Sequence, residues 1–279
     1  MPDDLDPKLQ AILNSPSYRL AENDAEFLRR PELRPVRLQL ELLKPEMLLV
    51  EQNILSTIVV YGGTQIVERT KAEERLRKAR SALATDPQNP RLIREVSRSS
   101  RLLAKCHYYD AAREFAQLVS MENQRGEHRE FVMGTGGGPG IMEAVNRGAA
   151  DVQAKSIGFN ISLPAEQAPN PYITPDLCFR FHYFALRKMH FLLRAKALVA
   201  FPGGFGTLDE TFDALTLRQT MRMQIIPVIL YGQEYWNKVI DFQFLADEGV
   251  IRDEHLELIQ YAETPREAWD IIDRFHADG

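Results

Sequence analysis

Runs of apolar residues and stretches with helical spacing follow one another along most of this chain. From Ile54 to Tyr61 the sequence is nearly continuous in apolar and β-branched side chains, which predicts a strand buried on both faces. Similar short runs recur at Phe131–Met133, Ser156–Ser162, Leu177–Phe181, Ala197–Phe201 and Ile225–Tyr231. Between them apolar residues return every three or four positions. This spacing predicts helices over Val67–Leu83, Arg91–Lys105, Tyr108–Val119, from Ile141, over Phe184–Arg194, from Phe212, over about Glu234–Glu248 and over Pro265–Ala277. Strands that alternate with helices predict an α/β, Rossmann-like, doubly wound parallel sheet, covered by helices on both faces and joined by right-handed crossovers. Residues 1–50 carry several prolines, many charges and a Leu-x-Leu-x-Leu-Leu pattern at 38–43. They read as an N-terminal extension packing on a main domain at 51–279, within which about 66–107 form a helical insertion.

The ends of three predicted strands are rich in glycine. Pro202-Gly203-Gly204-Phe205-Gly206-Thr207-Leu208-Asp209-Glu210 follows the fifth strand and leads into a helix. Glycines there let an anion approach the backbone, and a helix start supplies N–H groups and a positive dipole end, so the turn suits a phosphate. Glu210, placed in the first helical turn, would then reach the sugar of a nucleotide. The same residues permit another reading, because Thr207-x-x-Glu210 is also the spacing of a capping box. A second turn, Gly134-Thr135-Gly136-Gly137-Gly138-Pro139-Gly140, has five glycines in seven residues and resembles a dinucleotide fingerprint only loosely. Gly62-Gly63-Thr64 ends the first strand. In an open parallel sheet these three turns converge at one crevice.

Charge and cysteine content narrow the function. With 34 Lys and Arg against 39 Asp and Glu, the net charge of −5 argues against nucleic acid as the main ligand. Arg91, Arg94, Arg98 and Arg101 recur at helical spacing, and a solvated face is the favoured reading over a phosphate site. Cys106 and Cys178 suggest neither a disulfide framework nor a zinc site. The acidic N-terminus lacks an apolar signal core and no run is long enough to span a membrane, which predicts a cytoplasmic protein. On the helix from Phe184, Arg187 or Lys188 could meet an anionic ligand, whereas His182 and His190 read as structural histidines.

Arg187-Lys188, the Pro202–Glu210 turn and Gly136-Gly137-Gly138-Pro139-Gly140-Ile141-Met142 together resemble the LOG family. These are cytokinin riboside 5′-monophosphate phosphoribohydrolases, often labelled lysine decarboxylases. The resemblance covers about residues 54–64 and 108–275. Residues 1–50 and the insertion lie outside it, and Gly62-Gly63-Thr64 stands where Gly-Ser-Ser is common. It implies hydrolysis of the N-glycosidic bond of a nucleoside 5′-monophosphate, AMP or a cytokinin riboside monophosphate, to free base and ribose 5-phosphate. It also implies Arg187 and Glu210 as catalytic residues, with Arg187 keeping Glu210 ionised. Gly203, Gly204, Gly206 and Thr207 would hold the phosphate. Gly137, Gly138 and Gly140 would line the sugar or phosphate side, with Gly62, Gly63, Thr64 and Lys188 completing the binding set. No metal or cofactor is required, and a homodimer or higher homo-oligomer is expected. The competing reading is a non-catalytic nucleotide-binding or sensing protein on the same fold. A nicotinamide-dependent dehydrogenase lacks a clearly placed ribose-binding acid. A pyridoxal-phosphate decarboxylase lacks a convincing lysine with its partner aspartate.

Overall fold

Seven parallel strands form one sheet in the order β4-β3-β2-β1-β5-β6-β7 in a computed structural model that describes residues 6–124, 126, 128–163 and 168–277. The acidic start of the chain, Met1–Leu5, lies outside the described residues. Two units divide the chain, Met1–Lys44 and Pro45–Gly279. The first holds α1 (Pro7–Leu13), α2 (Ala25–Leu28) and the beginning of α3 (Arg34–Glu51). Asp6 and Asp24 cap α1 and α2 by accepting from amides of their first turns. Arg37 donates to the carbonyls of Leu28 and Arg30, at 2.6 and 2.7 Å.

In the second unit β1 (Thr57–Tyr61) is followed by three helices, α4 (Arg69–Thr85), α5 (Pro90–Leu103) and α6 (Cys106–Asn123). The chain continues through β2 (Val132–Thr135), α7 (Ile141–Asp151), β3 (Ser156–Ile161), β4 (Cys178–Phe181), α8 (Phe184–Leu193), β5 (Ala195–Ala200) and α9 (Phe205–Gln219). It ends with β6 (Val228–Tyr231), α10 (Gln233–Val239), α11 (Phe242–Asp247), β7 (Gln260–Ala262) and α12 (Pro265–Ala277). Strand order runs outward from β1 through β2 and β3 to β4, then reverses to β5 on the other side of β1. That reversal is a topological switch point, and it opens a crevice at the carboxyl ends of β1 and β5.

Both faces of the sheet's centre are covered, so β1, β2 and β6 are buried along their whole length, whereas the edge strands β4 and β7 each carry an exposed residue. Ile58, Val60, Met133, Val199 and Ile229 share one buried cluster with Phe115 and Val119 of α6, Val145 of α7 and Trp269 of α12. Tyr61 meets Phe191 of α8 edge to face, and Phe159 packs on the same ring, so α8 is held against the other face beside the crevice.

One predicted element divides and one unpredicted strand is present. The single helix expected over 234–248 is two helices, because Ile240 is extended and Asp241 caps α11 by accepting from the Phe244 N–H at 3.0 Å. Strand β7 was not predicted, since its three residues, one exposed and one half-buried, carry no run of apolar side chains. Among the described residues no helix is long and apolar enough to cross a membrane.

Candidate active site

Three strand-to-loop turns meet at the crevice and are tied through their backbones. The Gly63 N–H donates to the Pro202 carbonyl at 2.9 Å, and the Ile141 N–H donates to the Gly63 carbonyl at 3.2 Å. Such close approach needs glycine. Gly140 has φ +74°, and a Cβ there would strike the Gly63 carbonyl and the Thr64 backbone; one at Gly62 would strike Ile141. Between the turns lies a cleft of about 400 Å³. Gly62, Gly63, Thr64, Gly138, Gly204, Gly206, Thr207, Arg187 and Glu210 border it.

The remaining expected residues sit behind this lining. Gly137, with φ +72°, packs on Asn160 and turns the loop, while Gly140 and Gly203 serve loop packing: a Cβ at Gly203 would collide with Thr207. Lys188 pairs with Asp209 at 2.9 Å and Asp213 at 3.9 Å and faces a neighbouring groove beside Met189 and Leu217.

Helix α9 starts earlier than the sequence suggested. Gly204 is its N-cap residue and makes no side-chain cap, so Thr207 is third and Glu210 sixth in the helix. Thr207 and Glu210 therefore form no capping box, and Glu210 stands in the second turn instead of the first. The physical reason is the glycine pair at 203–204, which lets the chain enter the helix before any hydroxyl is available to cap it. As a result the N–H groups of Phe205, Gly206 and Thr207 have no protein acceptor among the described residues. A Cβ added at Gly204 or Gly206 would meet nothing within 4 Å, so protein packing does not call for glycine at either position. A helix N-terminus with free amides and open glycines is a place for an anion.

Arg187 is fixed before any ligand arrives. Its Nε donates to the Phe159 carbonyl at 2.7 Å, its guanidinium lies 4.9 Å from the Phe191 ring centre, and its Nη1 is 3.2 Å from Glu210 Oε1. Both partners of this ion pair are nearly buried. Burial pushes the Glu210 carboxyl up to about 7, against the opposing pull of the Arg187 charge. This corrects the expectation that Arg187 simply keeps Glu210 ionised: removal from water outweighs the cation, and the carboxyl is poised to exchange a proton near neutrality. The same burial raises the neighbouring Tyr61 phenol, and the Glu210 charge adds to that shift.

A buried polar network that sequence reasoning missed shapes the second turn. Thr135 Oγ1 accepts from the Gly137 N–H at 2.9 Å and donates to Asn146 Oδ1 at 2.8 Å. Asn170 Nδ2 donates to Asn146 Oδ1 at 2.9 Å and to the Gly137 and Gly138 carbonyls at 3.1 Å. Asn146 is fully buried and completes its bonds on Ser156 and the Ile157 carbonyl. The available signal was an asparagine inside the apolar pattern of α7 and another flanked by Pro169 and Pro171. The Tyr235 hydroxyl likewise holds the third turn by donating to the Gly203 carbonyl. His190 is buried 3.5 Å from Glu46 and packs on Phe159 and Phe181, which fits the structural role expected of it.

Comparison with known proteins places this arrangement. Residues 142–272 match the family model described as possible lysine decarboxylase. A pyrimidine/purine nucleotide 5′-monophosphate nucleosidase of Escherichia coli K12 is 32% identical over 153 residues, which cover 50% of this chain and 31% of that protein. Proteins of the same name from strains O6:H1 and O157:H7 match equally. The match therefore spans about a third of the length of these relatives. Among solved structures, the molybdenum cofactor binding protein of Rippkaea orientalis has 22% identity and a TM-score of 0.43, covering 60% of this chain and 87% of its own. The X-ray structure of TM1055, a structural genomics target, has 20% identity and a TM-score of 0.45, covering 78% of this chain and 99% of its own. The matched segment carries Arg187, Glu210 and the Pro202–Gly206 turn, so it is the part of the chain holding the candidate site that is similar to the family described as possible lysine decarboxylase.

Proposed function

We propose that the cleft hydrolyses the N-glycosidic bond of a nucleoside 5′-monophosphate, giving free base and ribose 5-phosphate. The observation that carries this reading is the joint presence, in one cleft, of three unpartnered amides at the start of α9 and a buried carboxyl one turn further along the same helix. Phosphate on the amides of Phe205, Gly206 and Thr207 places the ribose toward Glu210, because helical side chains tilt back toward the N-terminus. The names of the Escherichia coli relatives support the same substrate class.

In this mechanism the bond between the ribose anomeric carbon and the base nitrogen breaks with its electron pair leaving on the base. Positive charge develops on the sugar ring, and the ionised Glu210 stabilises it. Water then adds to the anomeric carbon, Glu210 accepts its proton, and that proton is passed on to the departing base nitrogen, which returns Glu210 to its ionised form. Arg187, already bonded to the Phe159 carbonyl, holds Glu210 and the ligand in register. Phe205, 92% exposed, and Phe184 border the cleft and offer apolar surface for a purine such as that of AMP or a cytokinin riboside monophosphate. Exposed Phe184, Met189 and Leu193 along α8 support a homo-oligomer, and the reading is of a cytoplasmic enzyme.

Chromatography of a panel of nucleoside monophosphates after incubation with the protein tests the proposal. Equimolar free base and ribose 5-phosphate are expected, with AMP among the substrates. Nucleotide that binds but is recovered intact would leave a non-catalytic binding protein in place of the hydrolase.

A further inference from the structure

We propose that the groove between α4 and α5 is a second ligand site, for a small phosphorylated metabolite. The groove has a volume of about 430 Å³, comparable with the cleft beside Glu210, and lies within the insertion after β1. Its walls combine two chemistries. Buried Val67, Ala72 and Ala79 with half-buried Leu102 give an apolar surface, while Arg75, Lys78 and Arg98 bring three cations against the single carboxylate of Glu95.

Local ion pairs do not consume this charge. Lys78 pairs with Glu74 at 2.6 Å and Arg98 with Glu95 at 3.4 Å, whereas Arg75 meets only the Gln65 amide oxygen at 3.4 Å and has no carboxylate partner among the described residues. Ser99 is the second, independent observation. It is 5% exposed, borders the groove, and its hydroxyl has no hydrogen-bond partner among the described residues. The hydroxyl oxygen itself stays accessible from the groove, so a ligand there can supply the partner it lacks. A phosphoryl group fits both demands: its oxygens accept from the Ser99 hydroxyl and from Arg75, and Lys78 and Arg98 add charge-assisted bonds. Glu95 is left to accept from a hydroxyl elsewhere on the ligand, and the apolar wall takes its carbon skeleton. Of the arginine series at 91, 94, 98 and 101, only Arg98 borders the groove; all four are exposed, and the rest serve as a solvated face.

Methyl NMR of the full chain, titrated with inorganic pyrophosphate, tests this site separately from the cleft. Ala72 and Ala79 border the groove and not the cleft, so their methyl signals report this site whatever the cleft does. Saturable shifts are expected at both. The double variant Arg75→Glu/Arg98→Glu should raise the apparent Kd at least about tenfold, and Ser99→Ala should raise it about threefold. Should the double variant fail to fold, Arg75→Gln alone is read the same way. Absence of saturable shifts at Ala72 and Ala79, or equal affinity in the charge-altered protein, would overturn the proposal. Neither result touches base release at Glu210.

Discussion

The turns after β2 and β5 are both rich in glycine, yet they use it for different ends. In the turn after β2 glycine serves the protein: Gly137 and Gly140 have positive φ, and Gly140 packs directly on the backbone of the first turn. In the turn after β5, Gly203 is confined by Thr207, but Gly204 and Gly206 face open space and lead to amides without acceptors. A glycine required by packing reports on the fold. A glycine facing empty space beside free N–H groups reports on a ligand.

Substitutions can break this contrast. Gly140→Ala should show the largest effect, destabilising the fold by about 3 kcal/mol or more, since it combines a backbone conformation hostile to a side chain with a collision against main chain. Urea denaturation measures it, and a loss under about 1 kcal/mol would mean that the turn relaxes freely. Asn146→Ala should cost about 2 to 3 kcal/mol on the same assay, because it strips partners from Thr135 and Asn170, which shape the same turn. Gly206→Ala should do the reverse. Within the first turn of α9 alanine is the better helix former, so stability should hold or rise by up to about 1 kcal/mol while KM for AMP rises at least about tenfold. Lost stability with unchanged KM would place Gly206 with the packing glycines.

The smallest effect concerns pH. In the proposed mechanism Glu210 acts in its ionised form, and burial pushes its carboxyl up to about 7, well above the ordinary glutamate value of 4.5. Activity should therefore be low in acid, reach about half its plateau near pH 7 and level off above it. A plateau already complete by about pH 5.5 would show that the Arg187 charge, and not burial, dominates the carboxyl.

Much of the fold was legible because buried parallel strands leave a strong mark. β1, β3 and β5 each appear as apolar runs, and Pro265 marks the start of α12 where the helix begins. The Pro202–Glu210 turn was legible for a related reason, since few structural roles demand so many glycines before a helix. The start of α9 was not legible. Thr207 looks like a cap in sequence, and only the backbone path through Gly203 and Gly204 places it in the third helical position. Nor was the burial of Glu210 accessible, because the low-dielectric surroundings that raise its pKa come from the packing of distant segments around it. The Thr135, Asn146 and Asn170 network was missed for the same reason: its members lie far apart in sequence and meet only when β2, α7 and the segment before β4 come together.

The central claim is that Glu210 performs chemistry on a ligand held by the amides of α9. Glu210→Gln keeps the shape and removes the base, so single-turnover incubation with AMP, alongside calorimetric titration of the same nucleotide, tests it most directly. The account predicts binding within a few-fold of the parent and adenine release slowed by at least about a thousandfold. Release at the parental rate from a normally folded variant would contradict it.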